Sequence, residues 1–590
     1  MALTPVVVAL TAGPVARRVA DLLGAPLHAR AGRAEGDLLF DDAPEHLRAL
    51  FAAGTPIVGV CAAGILVRLL APLLGDKRAE PPVLAVAQDG SAVVPLLGGH
   101  QGANALAQRV AEALGVAPAI TTAGDAAFGI ALDDPPPGWR LADPEEAGSA
   151  MARLLVGEGA EVEGEAPWLA RLPRGPGVRV AATPAPAEAD LRYSPQVAAL
   201  GVGASRGCPP EEMAALVRAA LAEAGLAPEA VAAVGTLDLK ADEGAVTALA
   251  RALGVPLRLF DAPALAALAP RLETPSAVVE AEVGTPGVAE AAALLLAGEG
   301  GRLVVPKRKG RHATVAVALA PAPILDLAGR PRGRLAVVGI GPGQASWRTP
   351  EASRLVAEAE ELVGYGLYLD LLGPLARGKP RADFPLGGEE DHCRHALERA
   401  GQGARVALVC SGDAGIYAMA ALVYELLDRP PGDPRAVSDA ARRAEVVVSP
   451  GVSALQAAAA RAGAPLGHDF CAVSLSDLLT PREDILRRLR AAAEGDFVVA
   501  LYNPVSRTRR TLLDEARAIL LGHRPPATPV VLARALGRPD EAVALRTLDT
   551  LATDEVDMMT TVLVGSSNSR VLATGDGPRL YTPRGYARKA

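Results

Sequence analysis

Short apolar runs followed by segments of helical periodicity recur along the chain. PIVGVC at 56–61 precedes a helical segment, and VLAVAQDGSAVVPLL at 83–97 predicts a hairpin, because Asp-Gly suits a tight turn between apolar strands. In ANALAQRVAEALG the apolar residues share one helical face, and Gly115 suits the left-handed stop. Strands that alternate with helices predict α/β domains with largely parallel sheets.

The same alternation continues in the later parts of the chain. Between 197 and 320 it includes GRLVVPKRKGRHATVAVALA, which predicts a hairpin with a basic turn. From 334 onward, five strands end in loops, in AVVGIGPG, VALVCSGDAGIYAMA, VVVSPGVSALQAAAARAG, VVALYNPVSRTRR and VVLARALG. Since ligands of α/β sheets usually lie at the carboxyl ends of the strands, these loops are candidate binding elements.

Proline-rich breaks divide the chain, whose 590 residues exceed what one hydrophobic core organises. They lie at 132–139, 171–192 and 320–334, where Pro, Gly and Ala resist regular structure. The predicted parts are an α/β domain at 1–130, a middle region and linker at 131–195, an α/β domain at 196–320, a linker at 321–333, and two α/β lobes at 334–590 divided near 440.

Composition and charge narrow the class of protein. The formal net charge is −8 with basic and acidic residues interspersed, so nucleic acid is not an expected partner. The five cysteines have no CxxC spacing, which is typical of reduced thiols in the cytoplasm. The N-terminal MALTPVVVALTAG has no basic region, and no apolar stretch is long enough to span a bilayer. We therefore expect a soluble cytoplasmic protein.

The segment AVVGIGPGQASWRTPEAS at 336–353 carries a glycine-rich loop after a strand. A dinucleotide-binding loop needs a third glycine and immediate entry into a helix, but Gln344-Ala345 stands at that position. The helix starts later, with Thr349 as N-cap and Pro350 at its first position. A P-loop sequence is also missing. Taken alone, the loop leaves a nicotinamide dehydrogenase, another ligand site and a simple tight turn as alternatives.

Further loops decide between these alternatives. They are SGDAGIY at 411–417, SPGVSA at 449–454, LYNPVSRTRR at 501–510 and DMMTTVLVGS at 557–566. In this order, and with DLLTPRE at 477–483, they resemble the tetrapyrrole methyltransferase family, and within it the precorrin-3B C(17)-methyltransferases of corrin synthesis. The resemblance covers about 334–590, and it departs from the usual motifs at Ala414 and at Ser567-Asn568-Ser569.

The resemblance implies two α/β lobes with S-adenosylmethionine in the cleft between them. It implies cofactor contacts by Pro342, Gly412, Asp413, Ile416, Tyr417, Ser453, Ala454, Tyr502, Asn503, Thr561 and Val562. Glycines let backbone groups approach such a ligand closely. Asp413 could accept hydrogen bonds from the ribose or the ammonium, or could instead cap its own loop. The family also implies a homodimer formed through this half of the chain.

Methyl transfer from a sulfonium needs no covalent enzyme intermediate, so catalysis would rest mainly on positioning. A tetrapyrrole substrate carries many carboxylates, which arginine forks match well. The candidate substrate clamps are Arg482, Arg507, Arg509 and Arg510. A solvated basic face is an equally good interpretation of each of them.

In the N-terminal half, the clearest candidate catalytic residues lie in LLGGHQGANALAQRVA at 96–111. His100 lies between glycines at a helix start, where free amides bind anions, and it could act as a general base; a structural loop histidine is the alternative. This stretch, with GVCAAGILVRLLAPLL, ALGVGASRGCPPEE and LDLKADEGAV, resembles the cobalt-precorrin-5A hydrolase family. That resemblance implies opening of a ring lactone with release of acetaldehyde.

Lactone opening needs a base for water and a group that polarises the carbonyl. The candidates are His100 as base, Asn104 as a carbonyl or carboxylate contact, and Lys240, Asp242 and Glu243 across a domain cleft. The KADE run could equally be a charge cluster at a helix start. Two hypotheses follow: a bifunctional hydrolase and methyltransferase, or a methyltransferase preceded by a non-catalytic tetrapyrrole-binding and handover module.

One segment, Asp391-His392-Cys393-Arg394-His395, contains residue types that bind metals in other proteins. His392 and His395 could share a helical face, but no second cluster completes a site, and the acidic neighbours predict an exposed helix. We therefore predict no metal centre.

Overall fold

The computed structural model describes residues 4–75, 80–430, 432–506 and 509–586. In chain order these form a six-stranded sheet, a four-stranded sheet, a second six-stranded sheet, a five-stranded sheet, and a final lobe with a five-stranded and a three-stranded sheet. Helices pack on these sheets, so the predicted multidomain α/β class is confirmed. Within the described ranges, no helix combines the length and apolarity that crossing a membrane requires.

The first unit is a sheet of five parallel strands with one antiparallel edge strand. Its strands, in spatial order β3-β2-β1-β4-β5-β6, are β1 Val6–Ala9, β2 Leu27–Arg30, β3 Leu38–Phe40, β4 Ile57–Val60, β5 Val83–Val86 and β6 Val93–Leu97. Its helices are α1 Pro14–Leu23, α2 Ala43–Ala52, α3 Ala63–Leu70, α4 Ala103–Leu114 and α5 Ala123–Phe128. The β5–β6 hairpin is as predicted, and α4 stops at Gly115, whose φ is 75°.

The middle region, expected to serve partly as a linker, forms a folded unit. Its strands, in spatial order β7-β10-β9-β8, are β7 Trp139–Leu141, β8 Gly159–Gly164, β9 Gly177–Ala182 and β10 Leu191–Pro195, with helix α6 Ala147–Leu155. The Tyr193 ring is buried, and its hydroxyl donates to the Leu132 carbonyl at 2.5 Å. Proline and glycine occupy the turns, while the short apolar runs between them supply a small core.

The third unit is a mixed sheet in the order β14-β15-β11-β12-β13-β16. Its strands are β11 Ala198–Ala204, β12 Val231–Leu237, β13 Leu257–Phe260, β14 Arg302–Lys309, β15 Ala313–Leu319 and β16 Arg330–Pro331. Its helices are α7 Pro210–Glu223, α8 Gly244–Leu253, α9 Ala262–Ala266, α10 Ala277–Val283 and α11 Ala289–Ala297. The predicted basic hairpin is β14–β15. α11 crosses β11 so closely that a Cβ on Gly201 would lie 1.8 Å from the Ala289 carbonyl oxygen.

The first lobe of the C-terminal half is a fully parallel sheet in the order β19-β18-β20-β17-β21. Its strands are β17 Arg334–Gly339, β18 Glu361–Tyr365, β19 Arg381–Phe384, β20 Arg405–Cys410 and β21 Glu445–Ser449. Its helices are α12 Pro350–Glu358, α13 Gly366–Asp370, α14 Glu389–Gly401, α15 Met419–Asp428 and α16 Asp439–Arg442. Thr349 caps α12 as predicted. Because β21 belongs to this sheet, the first lobe extends to Ser449, beyond the division expected near 440.

The second lobe contains a mixed sheet in the order β23-β24-β27-β25-β26 and a small sheet in the order β22-β29-β28. Its strands are β22 Gly463–Ala464, β23 Phe470–Ser474, β24 Val498–Tyr502, β25 Pro529–Arg534, β26 Ala542–Thr547, β27 Thr560–Val564, β28 Arg570–Thr574 and β29 Gly577–Tyr581. Its helices are α17 Ala454–Ala462, α18 Arg482–Glu494 and α19 Thr511–Leu521. In the larger sheet, the expected parallel arrangement holds for β23, β24 and β25, which are joined through helices. β26 and β27 follow without a helical crossover and run antiparallel.

The first unit packs against the first lobe. α2 contacts α12, and Ala53 is fully buried in the apolar core that α12 covers. The Arg377 guanidinium donates to the Leu39 carbonyl. The N-terminal and C-terminal halves are therefore joined by side-chain packing as well as by the chain.

Candidate functional site

Three parallel strands of the first lobe end beside one another at its carboxyl edge. β17 leads into the glycine loop, β20 into SGDAGIY, and β21 into SPGVSA. Gly341 and Gly412 exchange two backbone hydrogen bonds, at 3.1 Å and 2.8 Å. The first two loops therefore form one continuous layer of backbone, which single-loop reasoning from the sequence did not reveal.

Glycine is required where these loops meet. A Cβ atom on Gly339 would lie 2.8 Å from the Gly412 carbonyl oxygen, and one on Gly451 would lie 2.1 Å from that oxygen. Either contact is shorter than real Cβ atoms show, so the three loops can pack only backbone to backbone. This packing places main-chain atoms, rather than side chains, at the edge where ligands of α/β sheets bind.

Asp413 ties two of these loops together. Its Oδ1 accepts a hydrogen bond from the Gly415 N–H at 2.8 Å, and its Oδ2 accepts one from the Gly451 N–H at 3.0 Å. The sequence left two roles open for Asp413, a ligand contact or a loop cap. These hydrogen bonds are those of a loop cap. A ligand contact would use the remaining lone pairs and stays a prediction.

The second lobe presents a carboxyl edge of its own. β23, β24 and β25 end there, and β27 begins there, because Arg534 of β25 pairs with Thr560 of the antiparallel β27. The segments that leave or enter this edge are 475–481, 503–506, 535–541 and 557–559. These segments contain NPVS of the LYNPVSRTRR motif and DMM of the DMMTTVLVGS motif.

Tyr502 and Asn503 at the end of β24 are held by specific contacts. The Tyr502 hydroxyl accepts from the Leu455 N–H at 3.0 Å, at the start of α17. Burial raises the pKa of this hydroxyl, which therefore stays protonated at neutral pH. Asn503 has a positive φ of 49°, and its Nδ2 donates to Ser474 Oγ at 3.2 Å. Hydrogen bonds thus fix both residues at the edge where the resemblance implies a cofactor contact.

Contacts join the two edges, and we call the region between them the cleft. Arg538 Nε donates to the Pro342 carbonyl at 3.3 Å, and a Cβ on Gly343 would lie 2.7 Å from the Gly537 carbonyl oxygen. On another side, the Tyr417 hydroxyl donates to the Ala472 carbonyl at 2.9 Å. Pro342 and Tyr417 therefore both stand at the boundary between the lobes.

The other predicted cofactor residues occupy this cleft region in different ways. Ile416 is partly exposed beside Tyr417, whose ring centroid lies 5.3 Å from that of Tyr502. Ser453 caps α17 in a capping box, and Ala454 is the first residue of that helix. The side chains of Thr561 and Val562 are buried within β27. The structure thus brings the residues together around the cleft, while their contacts with a cofactor remain predictions.

The candidate arginine clamps already have protein partners. Arg509 donates to Ser476 Oγ at 3.1 Å and to the Asn503 carbonyl at 3.2 Å. Arg482 pairs with Glu515, and Arg510 donates to the Thr553 carbonyl at 3.1 Å. Arg507 lies outside the described residues. Arg482, Arg509 and Arg510 lie beside the second-lobe edge, and binding of substrate carboxylates would require their remaining N–H groups.

The GGHQGAN stretch lies at an unexpected edge of the first unit. β6 runs antiparallel to β5, so Leu97 pairs with Val83 and the loop after β6 lies at the amino ends of the parallel strands. Asn104 is buried at the start of α4, and its Nδ2 donates to Thr122 Oγ1 at 2.9 Å. The side chain of His100 lies outside the described residues. Ligands of parallel sheets favour the opposite, carboxyl edge.

The KADE run lies at the carboxyl edge of the third unit. Glu243 is 3% exposed and its two carboxylate oxygens accept from the Gly207 N–H at 3.2 Å and 3.3 Å. Arg206 pairs with Asp242 at 2.9 Å and lies 3.6 Å from Glu243. Lys240 ends the short helical turn just before. Asn104 and the KADE run thus belong to two separate sheets, and Glu243 also stands at the N-terminus of α8, as the charge-cluster alternative holds.

Two polar arrangements at these edges were not singled out from the sequence. In the third unit, His312 Nδ1 lies 2.9 Å from Glu212 Oε2, and the Ser205 N–H donates to the His312 carbonyl at 2.9 Å. At the cleft, Arg538 contacts Pro342. The carboxyl-edge rule applied to VVLARALG would have indicated Arg538, whereas the His312–Glu212 pair depends on how β15 lies beside β11.

The histidines of α14 have structural surroundings. His392 is buried beside the Phe384 ring, with centroids 4.6 Å apart, and His395 Nε2 lies 2.6 Å from the Glu361 carboxylate. Within the described part of the chain, no group of three or more His, Cys, Asp or Glu side chains could hold a metal ion.

Three known families match successive parts of the chain. Residues 45–125 match the family described as Cobalamin synthesis G N-terminal, residues 198–318 match Cobalamin synthesis G C-terminus, and residues 334–552 match Tetrapyrrole (Corrin/Porphyrin) Methylases. The first match covers the later part of the first unit, the second covers most of the third unit, and the last covers the first lobe and most of the second.

Individual relatives resemble the methylase part of the chain. Precorrin-3B C(17)-methyltransferase of Sinorhizobium sp is 47% identical over 256 residues, which are 43% of this chain and 98% of that protein. Cobalamin biosynthesis protein CobIJ of Mycobacterium tuberculosis is 41% identical over 258 residues, which are 43% of this chain and about half, 48%, of that protein. A solved structure of the methyltransferase CobJ is 40% identical and covers 42% of this chain and 100% of its own, with a TM-score of 0.39.

The similarity to the Sinorhizobium enzyme extends over nearly the whole length of that protein, and the methylase family match at 334–552 lies within the two lobes that form the cleft. The two cobalamin synthesis G matches end before β17 begins, so they do not overlap the methylase match. Through its C-terminal half the chain therefore belongs to the tetrapyrrole (corrin/porphyrin) methylase family, and it carries N- and C-terminal cobalamin synthesis G domains ahead of that half.

Proposed function

We propose that the chain is a bifunctional enzyme of corrin-ring synthesis. Its C-terminal half methylates C-17 of precorrin-3B, or of the cobalt analogue, with ring contraction. Its N-terminal half opens the lactone of precorrin-5A or cobalt-precorrin-5A and releases acetaldehyde. The methyltransferase activity is supported by one observation. The loops that carry the methylase motifs are far apart in the sequence, and in this member of the methylase family they lie together in the cleft between two carboxyl edges.

S-adenosylmethionine is the proposed methyl donor, and the cleft suits it. Bound there, it supplies a methyl carbon bonded to a sulfonium. The loops around Gly412 would let its polar groups approach the backbone closely, and Tyr417 and Tyr502 offer aromatic surface. The fixed loops would hold the donor in one orientation, and the contact between lobes would exclude water. Positioning of this kind is what direct methyl transfer needs from a protein.

The substrate is proposed to be a tetrapyrrole that lies over the second-lobe edge. Related proteins carry names that specify precorrin-3B or cobalt-factor III, so both forms of the ring are candidates. Arg482, Arg509 and Arg510 stand beside this edge, where guanidinium groups could bind the ring carboxylates. Arg507 is proposed for the same role from the sequence alone.

For the hydrolase, we propose His100, Asn104, Lys240 and Glu243 as the candidate catalytic residues. Glu243 and Lys240 have the better-supported location, because they lie at the carboxyl edge of the third unit. Asn104 lies at the amino edge of a different sheet, so a single site that contained all of them would need both units to contribute.

A non-catalytic tetrapyrrole-binding and handover module remains the second candidate for the N-terminal half. One observation favours it: Glu243 is buried and its carboxylate is engaged with Gly207 and Arg206, as in a purely structural helix cap. The first unit also packs on the first lobe of the methylase half, which would suit transfer of a ring between neighbouring units.

We further propose that the enzyme is a homodimer through its methylase half and works in the reducing cytoplasm. The five cysteines, all within the described residues and all free thiols, support this compartment. Sedimentation of the full chain tests the dimer, because a monomer at micromolar concentration would contradict it.

Product analysis of the full chain tests both activities. The purified protein is incubated with S-adenosylmethionine and either precorrin-3B or cobalt-factor III, and the ring mass is measured. A gain of one methyl group supports the methyltransferase; no gain with either ring rejects it. Separately, precorrin-5A and cobalt-precorrin-5A are supplied and acetaldehyde is measured. Methylation without acetaldehyde from either lactone favours the handover module over the hydrolase.

A further inference from the structure

The turn Asp477–Leu479 places two leucine side chains almost entirely in water. The exposed fraction is 82% for Leu478 and 98% for Leu479. The turn follows β23 after Leu475 and Ser476, at the carboxyl edge of the second lobe. Burial within the described part of the chain does not stabilise these two side chains. A cluster of exposed apolar side chains is typical of binding surfaces.

Arg509 contacts the residues at the start of this turn. Its guanidinium bonds Ser476 Oγ at 3.1 Å and lies 3.6 Å from the Asp477 carboxylate. The same guanidinium donates to the Asn503 carbonyl, which joins the turn to the end of β24. The Arg509 side chain is only 11% exposed. The residues at the start of the turn are therefore held in place, so binding on the leucines would not first require this backbone to be ordered.

Other exposed apolar side chains stand on loops of the same cleft. Ile416 and Tyr417 come from the first lobe, with exposed fractions of 36% and 53%. Met558 and Met559 precede β27, with 56% and 40%. The Met559 carbonyl accepts from the Ala535 N–H at 3.0 Å, which places it beside the contact between Arg538 and the glycine loop. We call Ile416, Tyr417, Leu478, Leu479, Met558 and Met559 the apolar rim.

Guanidinium groups flank the apolar rim. Arg482 begins α18 just after the leucine turn and lies 3.9 Å from Asp477. Arg538 lies on the opposite side, where its NH1 approaches Met559 Sδ at 3.8 Å. An apolar surface between cationic groups complements a ligand that is flat and apolar in its centre and carries carboxylates at its edge.

We propose that Leu478 and Leu479 form a platform for one face of the tetrapyrrole macrocycle. The platform supplies apolar contact to the ring, and the flanking arginines bind its carboxylates. This inference rests on the proposed methyltransferase function. It assigns a substrate-binding role to Leu478 and Leu479. Among the described residues, neither leucine is hydrogen-bonded to the glycine loops or to the predicted cofactor residues.

The double variant Leu478→Ser and Leu479→Ser of the full chain tests the platform. Precorrin-3B and cobalt-factor III are titrated against it with S-adenosylhomocysteine present, and the ring absorbance is followed. The Kd of the ring is expected to rise at least about tenfold, because two apolar contacts are lost. The Kd of S-adenosylhomocysteine and the Tm are expected to stay within error of the wild type, because both side chains are already exposed.

Two further variants serve as controls. Leu478→Met with Leu479→Met keeps apolar contact and should bind the ring nearly as the wild type does. Val156→Ser removes another highly exposed side chain, 83% exposed, in the middle unit, and should change no binding constant.

The outcomes separate this inference from the proposed function. A wild-type chain that binds neither ring rejects the methyltransferase proposal itself. A wild-type chain that binds a ring, with a double serine variant of equal affinity, overturns the platform alone. A double variant that loses its oligomeric mass in sedimentation also overturns it, because the leucines would then form a subunit contact.

Discussion

The Asp413 carboxylate accepts a hydrogen bond from the Gly451 backbone N–H at 3.0 Å. This bond connects the loop after β20 with the loop after β21, at the point where the chain passes from one lobe to the other. The second carboxylate oxygen holds the Gly415 N–H, so one side chain fixes the shape of both loops. Asp413 therefore acts on the cleft by positioning backbone, whatever contact it makes with a cofactor.

Asp413→Ala removes both acceptors and leaves two amides without their partner. We expect weaker binding of S-adenosylhomocysteine, by about tenfold or more, since an unsatisfied polar group costs about 1–3 kcal/mol. Calorimetric titration of the full chain measures this. Asp433→Ala is a matched control, because Asp433 accepts from the Arg435 N–H at 2.7 Å in an exposed loop of the same lobe. Unchanged cofactor affinity in Asp413→Ala would remove Asp413 from the site.

Gly451→Ala is expected to disrupt the packing of the three loops. Its Cβ would lie 2.1 Å from the Gly412 carbonyl oxygen, so backbone must move. Such overpacking costs about 1–3 kcal/mol, and we expect a lower Tm together with impaired cofactor binding. Gly575→Ala serves as control, because nothing lies within 4 Å of its Cβ position. A normal Tm and normal binding in Gly451→Ala would show that the loops are looser than described.

His100→Ala tests the hydrolase proposal. If His100 is the general base, acetaldehyde release should fall about 10²–10⁴-fold. Methylation should be unchanged, because GGHQGAN and the cleft belong to separate sheets. Acetaldehyde release and ring mass are measured on the same preparation. Full hydrolase activity in this variant would make His100 structural, and Glu243→Gln and Lys240→Met would become the decisive variants.

The first unit should lose stability in mild acid because of two buried imidazoles. His28 Nδ1 lies 3.0 Å from His46 Nε2, and burial lowers the pKa of His28 to about 4 and that of His46 to about 3. Unfolding returns both groups to an ordinary pKa near 6.5. The unfolded chain then binds more protons than the folded chain below that value. The stability is therefore complete above about pH 6.5 and is lost as the pH falls toward 4.

Hydrogen exchange of the β1 and β4 amides measures this effect in the full chain. Between pH 7.5 and pH 5, the opening free energy should fall by about 2 kcal/mol for each imidazole. His46→Leu should remove a large part of the fall, while the exposed His468→Ala should not alter it. A fall of the same size in a chain that lacks both His28 and His46 would contradict the assignment.

Features that depend on a few neighbouring residues followed from the sequence. The Asp-Gly hairpin of β5 and β6, the stop of α4 at Gly115 and the cap of α12 by Thr349 are local, because each involves backbone within one turn. The α/β class followed from periodicity in the same way. The middle region was harder, because its runs between prolines are short, and only their assembly into one sheet produces a core around Tyr193.

The sequence by itself determined the order of α/β units, the loops that carry the methylase motifs, and the identity of the glycines. Tertiary structure decided how those loops meet. That Gly451 touches Gly412, that Arg538 reaches Pro342, and that Leu479 remains in water all depend on the relative placement of strands far apart in the chain. It also decided that GGHQGAN lies at an amino edge, because the direction of β6 is set by its pairing with β5. Hydrophobic period and turn chemistry act over a few residues, whereas a site between two sheets depends on packing that no short segment encodes.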